Sequence, residues 1–337
     1  MRRGSIIQLA AIGLVAAAIA TAAALLVPWL PVAAGKEATR IHFVFWFTTA
    51  ICIGVFSVVA AVLGYSVWKF RAGPDDESDG PPTHGHTQLE IVWTAVPAIL
   101  VTAISIVSAV VLAQNGHAGS DPFVVKVTAA QFAWSFTYPN GKSAGSLTIP
   151  EGRATKLVIT SNDVIHSFWV PELSQKQDAV PGQHNTIVVT PTRTGTFPVV
   201  CTELCGLGHA VMRSHVDILG TDKFAAWLKG TTAAGGGGTA AGGAPGLATY
   251  QANGCGACHT FKPAASNGKI GPDLDNLSAD AAKANRGDLK AFIRESIVKP
   301  QAYLEPGYPD AMPHIFGGQI QGAKLDQLVS YLAQGGK

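Results

Sequence analysis

Charge is scarce in this chain of 337 residues: Asp, Glu, Lys and Arg together make up 14% of it, and 24 basic against 22 acidic residues leave a formal net charge of +2. No run of Lys or Arg interleaves with aromatic side chains, which argues against nucleic acid as a partner. Methionine is confined to Met1, Met212 and Met312, and cysteine to Cys52, Cys201, Cys205, Cys255 and Cys258. Four of those five thiols form two close pairs with His and Met nearby, a pattern that reads as cofactor sites before it reads as a disulfide framework. Hydrophobic residues, in contrast, reach 47%. Their excess lies before residue 115, which is unusual for a soluble enzyme and points to a membrane. The length allows two compact domains in addition to membrane segments.

Three apolar stretches, residues 6–30, 41–68 and 91–112, each approach or exceed the roughly 20 residues that cross a bilayer as helix. The first follows two arginines and is rich in Ala, so residues 1–35 are either a secretory signal peptide or an extra transmembrane helix. Residues 40–115 read as a transmembrane helical hairpin. Lys69 and Arg71 close its first arm, so the positive-inside rule puts residues 69–90 in the cytoplasm and everything after residue 112 outside. The expected location is a bacterial cell membrane, crossed more than once, with the later domains on its periplasmic or extracellular face.

From residue 120 to 229 the pattern changes to short β-branched runs at 123–128, 145–149, 156–160, 185–190 and 196–201, separated by turn signals, as in an antiparallel sandwich or barrel. Residues 230–246 are nearly all Gly, Ala and Thr, the composition of a flexible linker. Such a linker has an r.m.s. span of roughly 22 Å and holds its two ends at an effective concentration on the order of millimolar. Residues 247–337 carry helical patterns at 247–251, 288–298 and 324–333, so the last domain is small and mostly α.

Cys201-Thr-Glu-Leu-Cys205-Gly-Leu-Gly-His209-Ala-Val-Met212 sets two thiols, an imidazole and a thioether in one loop. Sulfur and imidazole donors favour copper or zinc, and the thioether tilts the choice to copper. A single blue copper uses one Cys, two His and an axial Met, so two cysteines are one too many for it. Two thiolates can instead bridge two copper ions, which requires a second imidazole; His166, in Ser161-Asn-Asp-Val-Ile-His166, is the candidate. The competing reading is a Cys201–Cys205 disulfide with both histidines on the surface.

These residues carry a resemblance. Residues 40–229 are similar to subunit II of haem-copper cytochrome c oxidases, in Glu90-Ile-Val-Trp93-Thr-Ala-Val-Pro97, Gln131-Phe-Ala-Trp134, Asp163-Val-Ile-His166-Ser, Asp178-Ala-Val-Pro181-Gly and the copper loop. The resemblance implies a helical hairpin carrying a cupredoxin domain and a binuclear copper A centre. In it Cys201 and Cys205 bridge the metals, His166 and His209 ligate one each, Met212 is a weak ligand and Glu203 contributes its carbonyl. It further implies that the Glu203 carboxylate helps hold magnesium at the boundary with subunit I, and that Glu90 is a point of proton uptake. Taken alone, Glu90 reads more simply as a charge at a helix start. The family usually has Trp where this chain has Phe132; with Trp134 retained, Phe132 and Trp134 are the candidates for electron uptake.

Cys255-Gly-Ala-Cys258-His259 is the attachment signature of a c-type haem, with two thiols for the vinyl groups and His259 for the iron. Gly271-Pro272-Asp-Leu274, Ala311-Met312-Pro313 and a terminal helix follow, as in a class I cytochrome c. Met312 is the expected sixth ligand, with His314 as its competitor. His/Met ligation suits electron transfer rather than oxygen binding.

The fold expected is thus a multidomain membrane protein: a helical hairpin, a cupredoxin sandwich or barrel and a small all-α cytochrome c, an arrangement resembling caa-type oxidases. The implied route runs from a cytochrome c or a cytochrome bc complex to the fused haem c, the copper pair and haem a of subunit I, where oxygen is reduced and protons are pumped. Between residues 120 and 229, nine Lys/Arg against eight Asp/Glu show no strong acidic excess for docking a mobile donor. Rival readings are the copper A subunit of a nitric oxide reductase and a membrane-tethered electron carrier. Cys52, inside a membrane segment, is expected to be a buried small apolar residue rather than a ligand.

Overall fold

The computed structural model describes residues 3–73, 75, 80, 82, 84–230, 245–312 and 316–335. The chain divides into two compact units, residues 1–32 with 39–115, and 33–38 with 116–337.

The first unit holds three long helices, α1 (Arg3–Leu26), α2 (Lys36–Lys69) and α3 (Thr87–Asn115). Their most apolar windows have mean hydropathies of 2.4, 2.3 and 2.5, and few of those side chains are buried against protein. At about 1.5 Å per residue all three are long enough for a hydrocarbon core of about 30 Å. The hydroxyls of Ser57, Thr102 and Ser105 each donate to the carbonyl four residues back, so none needs water. Arg40 on α2 donates to Asn115 Oδ1 at the end of α3, at 3.2 Å. Cys52, expected to be buried, is exposed; in a membrane-spanning helix the surroundings are apolar whether or not protein covers the residue, so a small apolar thiol needs no burial within its own chain.

The second unit begins with a lead-in, residues 33–38, held by Ala34 N to Glu172 O, Lys36 N to Thr190 O and Thr190 N to Glu37 Oε2. Ten strands follow: β1 (Phe123–Ala130), β2 (Ala133–Thr137), β3 (Ser143–Ala144), β4 (Leu147–Pro150), β5 (Thr155–Ser161), β6 (His166–Val170), β7 (Gln175–Ala179), β8 (Asn185–Val189), β9 (Gly195–Cys201) and β10 (Arg213–Leu219). They form two five-stranded sheets, ordered β3-β2-β1-β5-β8 and β4-β10-β9-β6-β7. The pairs β1–β5 and β4–β10 are parallel, so the sandwich is mixed rather than purely antiparallel. Strand β1 alternates strictly, burying Phe123, Val125, Val127 and Ala129; Leu157, Ile159, Phe168, Val199, Val216 and Ile218 complete the core. Each such side chain stabilises the sandwich by roughly 1.5–3 kcal/mol. The run expected at 145–149 is split, with Gly145 lying between β3 and β4.

Helix α4 (Thr221–Leu228) buries Phe224 and Trp227 in that core, and Lys142 Nζ sits 3.6 Å over the Trp227 ring. Most of the expected linker, residues 231–244, lies outside the described residues. Beyond it come α5 (Pro245–Ala252), α6 (Cys255–Cys258), β11 (Thr260–Phe261), β12 (Ser266–Asn267), α7 (Leu277–Ala284), α8 (Leu289–Val298), α9 (Phe316–Gln319) and α10 (Gly322–Gly335). Asp288 caps α8 by accepting from Ala291 N at 2.7 Å, and Asn285 ends α7 in the left-handed region. Helices α5, α8 and α10 enclose a second core of Tyr250, Phe261, Phe292, Ile293, Leu328 and Leu332.

Candidate metal centre and the C-terminal cleft

Strand pairing, not sequence proximity, builds the first site. In the β6–β9 register Phe168 faces Cys201, which brings His166 at the start of β6 to the end of β9. Cys201 N donates to Met212 O, closing the intervening loop on itself as the chain returns into β10. The sulfurs of Cys201 and Cys205 lie 3.9 Å apart with no disulfide between them. Cys201 Sγ is 3.9 Å from His166 Nδ1 and 3.3 Å from the Glu203 carbonyl. Cys205 Sγ is 3.5 Å from His209 Nδ1 and 3.8 Å from Met212 Sδ. Each sulfur therefore has one imidazole and one weaker donor beside it. His166, Cys201, Cys205 and Met212 are all buried.

Asp163 orients the remote imidazole. Its carboxylate receives the Gln131 and Val164 amides, each at 2.7 Å, and the Ser161 hydroxyl at 3.1 Å, and it lies 2.9 Å from His166 Nε2. A carboxylate on the far nitrogen fixes the ring with Nδ1 toward the sulfurs. Burial alone would raise the Asp163 carboxyl, yet the hydrogen bonds from His166, Gln131 and Val164 win and hold it below its usual range. His166 shifts upward: burial opposes its charged form, but Asp163 and Cys201 outweigh that. Among the thiols, burial resists ionisation of both; hydrogen bonds led by His166 bring Cys201 down, whereas burial and then the adjacent Cys201 push Cys205 up. Burial and mutual repulsion thus disfavour two adjacent thiolates until cations neutralise them.

Phe132 and Trp134 both reach this site. Trp134 is buried, edge-on to Phe168 at 5.4 Å and 6.2 Å from the His166 ring. Phe132 lies on the metal loop itself, since a Cβ at Gly208 would come within 2.3 Å of its ring. Gln131 donates from Nε2 to Cys205 O at 2.6 Å. Glu203 turns its carbonyl to Cys201 while the residue itself is exposed. Glu90, in the helical unit, closes the first turn of α3: His86 N donates to Glu90 Oε1 at 2.9 Å, and Glu90 N to His86 O at 3.0 Å. Gln131 and Asp163 carried no role in the sequence reading; the spacing Asp163-x-x-His166 was the available signal.

The second site is a hollow of about 1280 Å³, counting the part open to solvent, lined by Cys255, Cys258, His259 and Met312 together. His259 Nδ1 lies 2.7 Å from Pro272 O, and an N–H there donates to it, leaving Nε2 with its lone pair. Gly271 has to be glycine: a Cβ would stand 2.4 Å from His259 Cε1. Burial keeps His259 neutral and pushes the Cys255 thiol up to about 12. Pro313 and His314 lie outside the described residues.

Residues 21–111 match the family described as cytochrome c oxidase subunit II, transmembrane domain, and residues 142–219 its periplasmic domain. Cytochrome c oxidase subunit 2 of Synechocystis is 32% identical over 253 residues, covering 61% of this chain and 76% of the relative. The same subunit of Alkalihalophilus pseudofirmus is 32% identical over 266 residues, 75% of this chain and 77% of the relative. The chain belongs to the cytochrome c oxidase subunit II family. Among solved structures, the periplasmic domain of subunit II of cytochrome oxidase of Bradyrhizobium japonicum is 28% identical, covering 34% of this chain and 96% of that one, with a TM-score of 0.33.

Family membership makes this chain part of a haem-copper oxidoreductase complex, a membrane protein whose cupredoxin-like sandwich is on the outer face. The family implies a copper A centre, and the residues present fit it. His166, Cys201 and Cys205 offer donor atoms all within 4.8 Å of one another. The other near donors, from His209, Met212 and the Glu203 carbonyl, complete a soft set with the thioether that zinc rarely uses.

Proposed function

We propose that this subunit relays electrons from a covalently attached haem c in its C-terminal module to a two-copper centre in its sandwich, and thence to subunit I. The observation that carries the reading is the cleft in which Cys255, Cys258, His259 and Met312 converge, with His259 oriented by Pro272. The match to the Alkalihalophilus relative supports it, because 75% of this chain is more than the residues up to Gly230 amount to, so that match enters the C-terminal module.

Cys201 and Cys205 would hold the copper pair as thiolates, with His166 and His209 giving one imidazole each, Met212 as a weak ligand and Glu203 through its carbonyl. Cys255 and Cys258 would attach the haem covalently, and His259 Nε2 and Met312 Sδ would ligate its iron. When bound, haem c and the copper pair supply one-electron transfer at a potential raised by His/Met ligation, feeding haem a in subunit I, where oxygen is reduced to water with proton pumping. The protein's share is positioning and dryness. Asp163 holds His166, the burial of Met212 and both cysteines keeps water from the coppers, and Phe132 with Trp134 places aromatic rings against the metal loop and its histidine. The exposed Glu203 carboxylate is assigned to helping hold a magnesium ion at the boundary with subunit I. Glu90, at the cytoplasmic start of α3, is assigned to proton uptake. The donor is a cytochrome c or a cytochrome bc complex.

Metal and optical analysis of the chain matured with copper and haem tests this. Two coppers sharing one unpaired electron and one covalent haem c per chain are expected. One copper, zinc, or the absence of covalent haem would refute it.

A further inference from the structure

The metal cage takes its ligands from two places: His166 stands at the start of β6, and Cys201 to Met212 form the loop from β9 into β10. Strand register joins the two at one end. The β6–β9 pairs are Phe168 with Cys201 and Trp169 with Val200, so pairing reaches Cys201 and stops short of Cys205, the sulfur beside His209 and Met212. The outer side of the loop adds little hold, with Leu204 and Leu207 exposed at 78% and 82%. On the inner side stands Gln131, in the turn between β1 and β2. Its backbone amide donates to Asp163 Oδ2 at 2.7 Å, behind His166, and its side-chain Nε2 donates to Cys205 O at 2.6 Å. One residue is therefore bonded to the support of one imidazole and to the backbone of the loop that carries the other. Gly206 makes room for that contact: its φ is +126°, and a Cβ there would stand 2.9 Å from Gln131 Nε2 and 3.2 Å from Phe132 Cζ. The end of β1 is tied to the same corner by Asn162 N, which donates to Ala129 O at 3.0 Å.

We propose that Gln131 is a positioning residue for electron sharing in the copper pair, its side chain holding the Cys205 half of the cage in place against the His166 half. The inference rests on the two-copper reading above. One electron spreads evenly over two ions only where both half-sites have nearly the same energy. Each sulfur has one imidazole and one weaker donor beside it, so the halves match in kind. What is left to fix is their relative placement, and the two hydrogen bonds of Gln131 span both. The backbone amide serves Asp163 whatever the side chain, so a substitution at 131 cuts the Cys205 link and leaves the other.

Gln131→Met, which keeps the length without a donor, and Gln131→Asn, too short to reach Cys205 O, test this in the full chain loaded with copper. Both variants are expected to bind two coppers, with an affinity lower by roughly 10–100-fold, as for other groups that orient ligands. Their electron paramagnetic resonance is expected to change from equal coupling to two copper nuclei to unequal coupling, with a shift of the near-infrared band. In the full chain stripped of copper by chelation, amide exchange is expected to speed up at residues 202–212 and to stay slow in β6 and at Val164. A variant that takes up no copper is judged by this exchange pattern. An unmodified chain holding one copper or zinc refutes the two-copper reading itself. Equal coupling retained in both variants of a two-copper chain overturns the role of Gln131 and leaves that reading standing. Unchanged exchange in the loop also overturns it, as does exchange that speeds up equally in β6, which would make Gln131 a general support of the sandwich.

Discussion

The two sites use the same side chains, a pair of cysteines with His and Met, and organise them in opposite ways. In the sandwich the donors are already assembled: two sulfurs 3.9 Å apart, an imidazole beside each, and Asp163 behind His166. In the C-terminal module Cys255, Cys258, His259 and Met312 stand around a hollow of about 1280 Å³. Ions are small and nearly isotropic, so their cage is built by strand register and hydrogen bonds before they arrive. A haem is itself part of the core, so its domain supplies a rim and leaves the centre to the cofactor. On the haem c reading, one region is preorganised and the other is completed by what it binds.

The largest expected effect attacks that difference directly. On the haem c reading, replacing Cys255 and Cys258 by Ser removes covalent attachment and leaves the hollow between the helices without the group that fills it. The C-terminal helices are expected to lose amide-exchange protection while the copper signals persist. Retained protection in that module would erase the contrast. On the other side, Cys205→Ser takes away the sulfur shared by His209 and Met212. Copper content is expected to fall from two per chain to one or none, with loss of the mixed-valence resonance, while the thermal transition of the sandwich core survives. Chelation of copper from the unaltered chain is expected to leave that transition in place as well, because the cage stands on β6, β9 and β10.

A finer probe is Asp163→Asn, which keeps the shape and removes the charge behind His166. Copper affinity is expected to drop by roughly 10–100-fold, read by competition with a chelator. No change would mean that the Gln131 and Val164 amides alone hold the loop. The smallest effect concerns the surface of the C-terminal module. Hydrogen bonds from Arg286 to Glu295 and from Lys283 to Glu305 hold both carboxyls below the usual range. Depressed carboxyls stabilise the fold above their unfolded pKa and lose that contribution as pH falls through the folded value. Arg286→Gln is therefore expected to return the Glu295 titration upward, followed by NMR, with little change in stability because the pair is exposed.

Much of this was legible locally. The Cys201 to Met212 loop and the Cys255-Gly-Ala-Cys258-His259 signature are contiguous, and three helices long and apolar enough to cross a membrane follow from apolar runs, the first of which reads equally as a signal peptide. Strands β1, β5, β8 and β9 followed from β-branched runs. Strands β6, β7 and β10 did not, because Gln, Lys, His and Asp within them interrupt the hydrophobic alternation, and β2, five residues of Ala, Trp, Ser, Phe and Thr, has no run of β-branched residues. Phe132 and Trp134 could be singled out by resemblance, but not what each touches.

The sequence by itself determined which donors exist, in what short spacing, and which segments are apolar enough to cross a membrane, because these properties reside in neighbouring residues. Only the tertiary structure decided that His166 meets Cys201, through the pairing of Phe168 with Cys201 across β6 and β9. It likewise decided that Met312 shares a cleft with His259, and that Gly145 and Gly254 let one module rest on the other. Those relations depend on strand register and on backbones approaching within the reach of a single Cβ. Such distances are set by the packing of residues far apart in the chain, where spacing carries no information.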